Sequence, residues 1–267
     1  SYAILYISDR GKGKDGNGVS VLKRGERKFT PIVTEITDFS YGIIDNLSTG
    51  FLVESNAHAP NGKVEFYDLQ KKNWKAIIPE KPEPLQGVGS AGGKLFASYS
   101  KDVTTRVYVY DQKGQLQNEV TLPGLGTAGG FGGEKQDTFV FYTYTSFNYP
   151  PTIFRYDLES KKSTVFREPE VSFKPENYET KQVFYTSKDG TKIPAFITYK
   201  KGIKLDGTNP TVLYGYGGFN VSLTPSFSAT RIPFFDHCGI YVQANLREGS
   251  EYGEKWHEQG MKLKKQN

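Results

Sequence analysis

The chain has 267 residues, 36% hydrophobic and 14% aromatic, which suffices for one large or two smaller cores and excludes a disordered chain. Its formal charge of +5 is small for that length, and the lysines are scattered apart from Lys262, Lys264 and Lys265, so no basic stripe marks a nucleic-acid surface. The single cysteine, Cys238, excludes an internal disulfide framework and a cysteine-cluster zinc site, and no apolar run approaches the roughly 18 residues of a membrane helix.

The opening SYAILYISDR has neither the basic nor the apolar region of a signal peptide, which leaves the compartment open between cytoplasm and periplasm. It is strand-like from its first residues, and the true amino terminus is expected to be missing. A pattern of apolar residues, then Tyr-Asp, then a polar turn recurs in VEFYDLQKKNWKAII, RVYVYDQKGQLQNEV and TIFRYDLESKKSTVF. The aspartates fall at 68, 111 and 157, a period of about 45 residues. A fainter copy, VSVLKRGERKFTPIV, begins at Val19; it lacks the aspartate but sets Phe29, Ile32 and Val33 where Trp74, Ile77 and Ile78 stand.

Alternating stretches such as KLFASYSKDVTTRVYVY and TFVFYTYTSFNYPPTIFRY precede the repeats and read as two strands around a short turn. Four short strands in about 45 residues is the size of one β-propeller blade, so residues 1–170 are expected to hold about four blades of a propeller. Asp68, Asp111 and Asp157 then have a structural role, accepting backbone N–H bonds in the turn between the third and fourth strands.

The repeats stop near residue 170, a proline-containing linker is expected over 171–180, and a different unit fills 181–267. KQVFYTS and KIPAFITYK read as a hairpin around Lys188-Asp189-Gly190-Thr191, since Asp-Gly suits the positive φ angles of a tight turn. NPTVLYGYGG and CGIYVQANLREGS read as strands buried on both faces, joined through a short helix or irregular crossover in VSLTPSFSATRIPFFDH as a parallel pair requires. A hairpin followed by such strands is how an α/β-hydrolase sheet begins, and EYGEKWHEQGM reads as a helix beyond it.

Several stretches together resemble the prolyl oligopeptidases, the propeller-gated serine peptidases. VFYTSKDGTKIPAFITYKKG, NPTVLYGYGGFNVSLTPSFS, NLREGSEYG and KWHEQGMKLKKQN follow the order of the start of that family's catalytic domain, and TLPGLGTAGGFGGE with PPTIFRYD resembles its last blades. The likeness runs through nearly the whole chain and is strongest from about residue 120. YGYGGFN resembles the prolyl-specific branch, whereas dibasic-specific members tend to carry YGYGSYG there.

The resemblance implies a fragment of an endopeptidase cleaving short proline-containing peptides by acyl transfer, with no metal or cofactor and with the remainder of its own polypeptide as partner. No serine has the Gly-x-Ser-x-Gly setting of a nucleophile elbow; GVGSAGG at 87–93 comes nearest and sits among blade strands. His58, His237 and His257 lie in a loop, the crossover and the last helix, apart from any such serine. The triad is expected outside this chain, which alone is expected to be inactive.

One oxyanion donor of an α/β-hydrolase comes from the loop after the third strand, where GYGGFN falls, and a tyrosine hydroxyl is a neutral donor suited to that role. The family match carries the oxyanion role onto Tyr216 and the lining of the proline pocket onto Phe219. One departure stands out: the family's RGGGEYG is Arg247-Glu248-Gly249-Ser250-Glu251-Tyr252-Gly253 here, which is expected to strain position 248 or 250 if positive φ is used, or to bring the Glu248 carboxylate near the site. The rival readings are a dibasic-specific peptidase and a non-catalytic propeller scaffold with a degenerate hydrolase part.

Overall fold

The structure, a computed structural model, describes residues 1–9, 11 and 13–266. Four antiparallel sheets follow one another along the chain. The first holds β1 (Tyr2–Ile7), β2 (Gly18–Lys23) and β3 (Thr30–Val33). The second holds β4 (Tyr41–Asn46), β5 (Gly50–Ser55), β6 (Lys63–Asp68) and β7 (Asn73–Ile78). β8 (Leu85–Ala91), β9 (Lys94–Lys101), β10 (Thr104–Asp111) and β11 (Leu116–Glu119) make the third. β12 (Thr127–Gly129), β13 (Phe139–Thr145), β14 (Thr152–Asp157) and β15 (Lys162–Arg167) make the fourth. Each is a meander in which neighbours in sequence are neighbours in the sheet.

These are the expected blades, and every Tyr-Asp repeat supplies the last two strands of one. The last pair of each sheet carries a register shift, at Val19/Ser20, Val64/Glu65, Val109/Tyr110 and Ile153/Phe154. A bulge there raises the local twist, which a fan of sheets needs.

The sheets pack face to face, and alternation along the strands decides which side chains meet. Val19, Val21 and Ile32 of the first meet Phe51, Val53 and Tyr67 of the second. Leu52, Val64 and Ile78 of the second meet Leu95, Ala97 and Tyr99 of the third, and Phe96, Val107 and Val109 of the third meet Val140, Tyr142 and Tyr156 of the fourth. Removing a side chain such as Phe96 or Leu95 from water contributes about 1.5–3 kcal/mol each.

The repeat aspartates hold their turns. Asp68 Oδ1 accepts from the amides of Gln70 and Lys71, Asp111 Oδ1 from Lys113 and Gln115, and Asp157 Oδ1 from the Ser160 amide and hydroxyl. Those backbone donors hold the carboxyls of Asp68 and Asp157 below the usual range.

A fifth sheet differs in kind. It holds β16 (Tyr178–Thr186), β17 (Lys192–Lys200), β18 (Thr211–Tyr216) and β19 (Ile240–Asn245) in the order β16-β17-β19-β18. β16, β17 and β19 pair antiparallel, while β18 and β19 pair parallel across a crossover carrying the short helix α1 (Arg231–Asp236). A second short helix, α2 (Glu254–Glu258), follows β19. No helix among the described residues is long and apolar enough to cross a membrane. A cluster of Val103, Phe147, Tyr178, Phe196, Ile232, Phe235 and Tyr241 joins this sheet to the third and fourth propeller sheets.

Three local readings need correction. β16 begins at Tyr178, directly after a 3-10 turn at Pro175–Asn177, rather than at Lys181. In the hairpin turn only Gly190 takes positive φ, because Gly190 N bonds back to Ser187 O and the loop is longer than a two-residue turn. β18, read as buried on both faces, is exposed along its whole length in this chain, with Leu213 72% exposed, because among the described residues it pairs only with β19. β19, inside the sheet, is largely buried as expected.

Candidate functional site

Two loops leave the same end of the parallel pair, one after β18 and one after β19, and they are built against each other. Gly217 is needed for that approach, since a Cβ there would lie 2.5 Å from Arg247 O. Gly249 is needed too: a Cβ would lie 2.1 Å from Glu251 Oε2.

The positive backbone angles of YGYGGFN fall on Phe219 (54°) and Asn220 (59°), and none of its glycines has one. Asn220 tolerates this region; Phe219 is strained there and is held because Asn220 N donates to Glu248 O at 3.1 Å and Val221 N to Gly218 O at 3.1 Å. Glu248 itself sits at φ 81°, so of the two expected positions the strain falls on 248 and not on 250. The Glu248 carboxylate is 2.9 Å from Lys265 Nζ, and its carbonyl oxygen is 2.8 Å from His257 Nδ1. Ser250 instead donates its hydroxyl to Asn220 O at 2.9 Å and lies 2.8 Å from Ser222 Oγ.

Polar groups inside the sheet complete the clamp. Gln243 and Asn245 share one face of β19 and are buried, an odd composition for an interior strand. Both amides donate to Leu223 O, at 3.2 and 2.7 Å. Glu251, 0% exposed, accepts from Leu223 N at 3.1 Å and Asn245 Nδ2 at 3.3 Å. Burial pushes its carboxyl above the usual value against those donors. Arg247 is buried and reaches the hairpin: Nη1 bonds Asp189 Oδ2, and Nη2 lies 3.1 Å from Asp189 Oδ1 and 3.1 Å from Ser187 Oγ. The guanidinium holds the Asp189 carboxyl well below the usual range.

On this support stand the two residues singled out in the sequence. Tyr216, paired in register with Asn245, is 39% exposed, and its hydroxyl has no hydrogen-bond partner among the described residues. A Cβ on Gly218 would be 3.6 Å from that hydroxyl, so the phenol lies over Gly218. Phe219 is 87% exposed at the tip of the loop. Tyr214 lies within the same strand, which runs on unbroken through Tyr216, so the two tyrosines share a face. Tyr214 lines a cavity of about 530 Å³ with Val212, Leu223, Arg231, Tyr241 and Gln243.

The remaining candidates are dispersed. Ser90 lies in β8 and donates to Asp45 Oδ2 at 2.9 Å. The His58 ring packs edge-on against Phe39 at 4.9 Å, and His237 Nδ1 is 2.7 Å from Pro233 O at the end of α1. Sequence reasoning passed over Asn245 and Glu251 and read Asp189 only as a turn residue; for Asn245, the polar side chains at alternate positions of an otherwise apolar β19 were the available signal.

Comparison with known proteins gives a consistent picture. The family model described as the N-terminal β-propeller domain of prolyl oligopeptidase matches residues 4–169. The chain is 45% identical over 247 residues to a prolyl endopeptidase of Elizabethkingia miricola, covering 91% of this chain and 35% of that protein. A prolyl endopeptidase of Dictyostelium discoideum is 39% identical over 247 residues, with 88% of this chain and 32% of that protein covered. Among solved structures, one from a study of two prolyl endopeptidases matches 99% of this chain and 39% of its own, at 38% identity and a TM-score of 0.86. Ligand-free prolyl oligopeptidase B from Galerina marginata matches with a TM-score of 0.87 at 32% identity, over 99% of this chain and 39% of its own. The chain thus spans about a third of the length of the curated relatives it matches.

Proposed function

The chain belongs to the prolyl oligopeptidase family, and from that premise we propose that it is part of a serine peptidase cleaving short peptides on the carboxyl side of proline. In this reading residues 1–170 are propeller, a linker from 171 leads into β16 at Tyr178, and the strands from β16 onward are the first of an α/β-hydrolase domain; the hairpin followed by a parallel pair supports the last assignment. The nucleophilic serine, its histidine base and the carboxylate that orients the base are supplied from outside this chain, so the chain alone is inactive.

The observation that carries the reading is the loop after β18, where an exposed tyrosine with an uncommitted hydroxyl and an exposed phenylalanine stand on a clamped, glycine-dependent backbone. When serine attacks the carbonyl, Tyr216 with a backbone N–H holds the developing oxyanion. The Phe219 ring forms a flat wall for the proline ring, burying apolar surface without asking for hydrogen bonds. The propeller limits the substrate to short peptides by covering the site.

The test is a paired assay of the complete protein with two chromogenic peptides, one with proline and one with arginine before the scissile bond. Proline is expected to be preferred, and Phe219→Ala is expected to raise KM with a smaller effect on kcat. Preference for arginine would move the protein to the dibasic-specific branch. Cleavage of neither would favour the scaffold reading.

A further inference from the structure

The turn between β9 and β10 is a strained feature that the proposed chemistry does not use. It has two residues, Asp102 and Val103, closing the pair Lys101 with Thr104, and both take positive φ, 47° and 67°. Such a turn favours asparagine or glycine, and a β-branched residue at positive φ is an outlier held only by its surroundings. Here the surroundings are the fifth sheet: Val103 is 1% exposed in the cluster with Phe147, Phe196 and Tyr241. Asp102 O accepts from Gln182 Nε2 of β16, and Asp102 Oδ1 accepts from the Tyr252 hydroxyl at 2.9 Å.

Tyr252 lies in the segment that clamps the candidate site. The neighbouring Glu251 receives the Ser100 hydroxyl on its backbone oxygen at 3.4 Å and gives its carboxylate to Leu223 N at 3.1 Å. Ser250, one residue earlier, holds Asn220 O. Residues 250–252 therefore touch the propeller hairpin on one side and the loop bearing Phe219 on the other. Tyr252 itself is fixed by the Trp256 ring, 4.8 Å away between centroids.

We propose that the Asp102-Val103 turn is a positioning element for the loop that carries Tyr216 and Phe219, acting through Tyr252 and Glu251. Asp102 and Tyr252 act through the backbone: their bond sets where the 250–252 segment lies, and that segment sets Leu223 and Asn220. The turn keeps its strained residues because a relaxed glycine turn would lack both the Val103 knob and the Asp102 carboxylate.

This inference rests on the peptidase reading for its kinetic arm only. In the complete peptidase, Tyr252→Phe and Asp102→Ala are each expected to lower kcat about five- to tenfold with KM within about twofold, and the double variant to be no slower than either. Asp102→Asn keeps an acceptor oxygen and suits the turn, and is expected to restore kcat to within about twofold of the parent. Hydrogen exchange supplies an arm independent of activity: in Tyr252→Phe the amides of Val221 and Leu223 should exchange faster while those of β16 and β17 keep their protection. A parent protein that cleaves no proline peptide defeats the peptidase reading and leaves the exchange result to decide this one. Unchanged exchange at Leu223, or additive kinetic losses in the double variant, overturns the positioning role.

Discussion

The repeat aspartates of the propeller and the carboxylates around the candidate site are used in opposite ways. Asp68, Asp111 and Asp157 bond to amides two to four residues further along, each in a turn that recurs with its blade. Around the fifth sheet the carboxylates reach far: Glu251 to Leu223 across 28 residues, Asp189 to Arg247 across 58, and Asp102 to Tyr252 across 150. Local bonds make a blade self-sufficient and repeatable. Long-range bonds fix two loops against each other once, which is what a site needs and a scaffold does not.

If that contrast is real, removing one carboxylate should matter far more in the fifth sheet. The largest expected effect is at Glu251. Glu251→Ala leaves Leu223 N and Asn245 Nδ2 without their buried acceptor and opens a small void, which together cost about 2–4 kcal/mol. Urea unfolding followed by tryptophan fluorescence in a Trp74→Phe background, which leaves Trp256 as the reporter, checks this. A loss under about 1 kcal/mol would remove Glu251 from the clamp.

Asp111→Ala should cost only about 1 kcal/mol, because its turn is exposed and water replaces the lost acceptor. A loss as large as that of Glu251→Ala would erase the contrast between the two regions. Titration sharpens it further. Asp68 and Asp157, held below the usual range, contribute stability that is present above the ordinary aspartate pKa and lost as pH falls through their lower folded values. Glu251, held above its usual value, has the opposite sign: its folded form takes up a proton first, so its contribution to stability declines as pH rises from the ordinary glutamate pKa through the raised one. Glu251→Gln should remove that decline and leave the acid limb of Asp68 and Asp157 intact.

The same contrast explains what was legible in the sequence. Tyr67-Asp68, Tyr110-Asp111 and Tyr156-Asp157 betray the blades because strand alternation and turn chemistry are both local and the period repeats them. The parallel pair was legible from two apolar runs separated by a crossover. The exposure of β18 was not, because an apolar run such as TVLY looks the same whether one neighbour or two cover it. Resemblance pointed to Tyr216 and Phe219, and the structure sets both on the surface beside the 246–253 loop. The clamp beneath them was illegible, since no pattern links Asp189 to Arg247 or Asp102 to Tyr252. The strain expected at position 248 or 250 was legible because a side chain stands there where the resembling family has glycine; that it falls on Glu248 follows from the bond of its carbonyl to Asn220 N.

The central claim is that the Tyr216 hydroxyl stabilises the oxyanion, and Tyr214, on the same face of the same strand, is its internal control. In the complete protein, Tyr216→Phe keeps the ring and removes one donor, which should lower kcat about a hundred- to a thousandfold, equivalent to about 2.7–4 kcal/mol, with KM little changed. Tyr214→Phe should leave kcat within a few-fold of the parent. An exchange of these two effects would assign the donor to Tyr214, and equal turnover by both variants and the parent would contradict the oxyanion role outright.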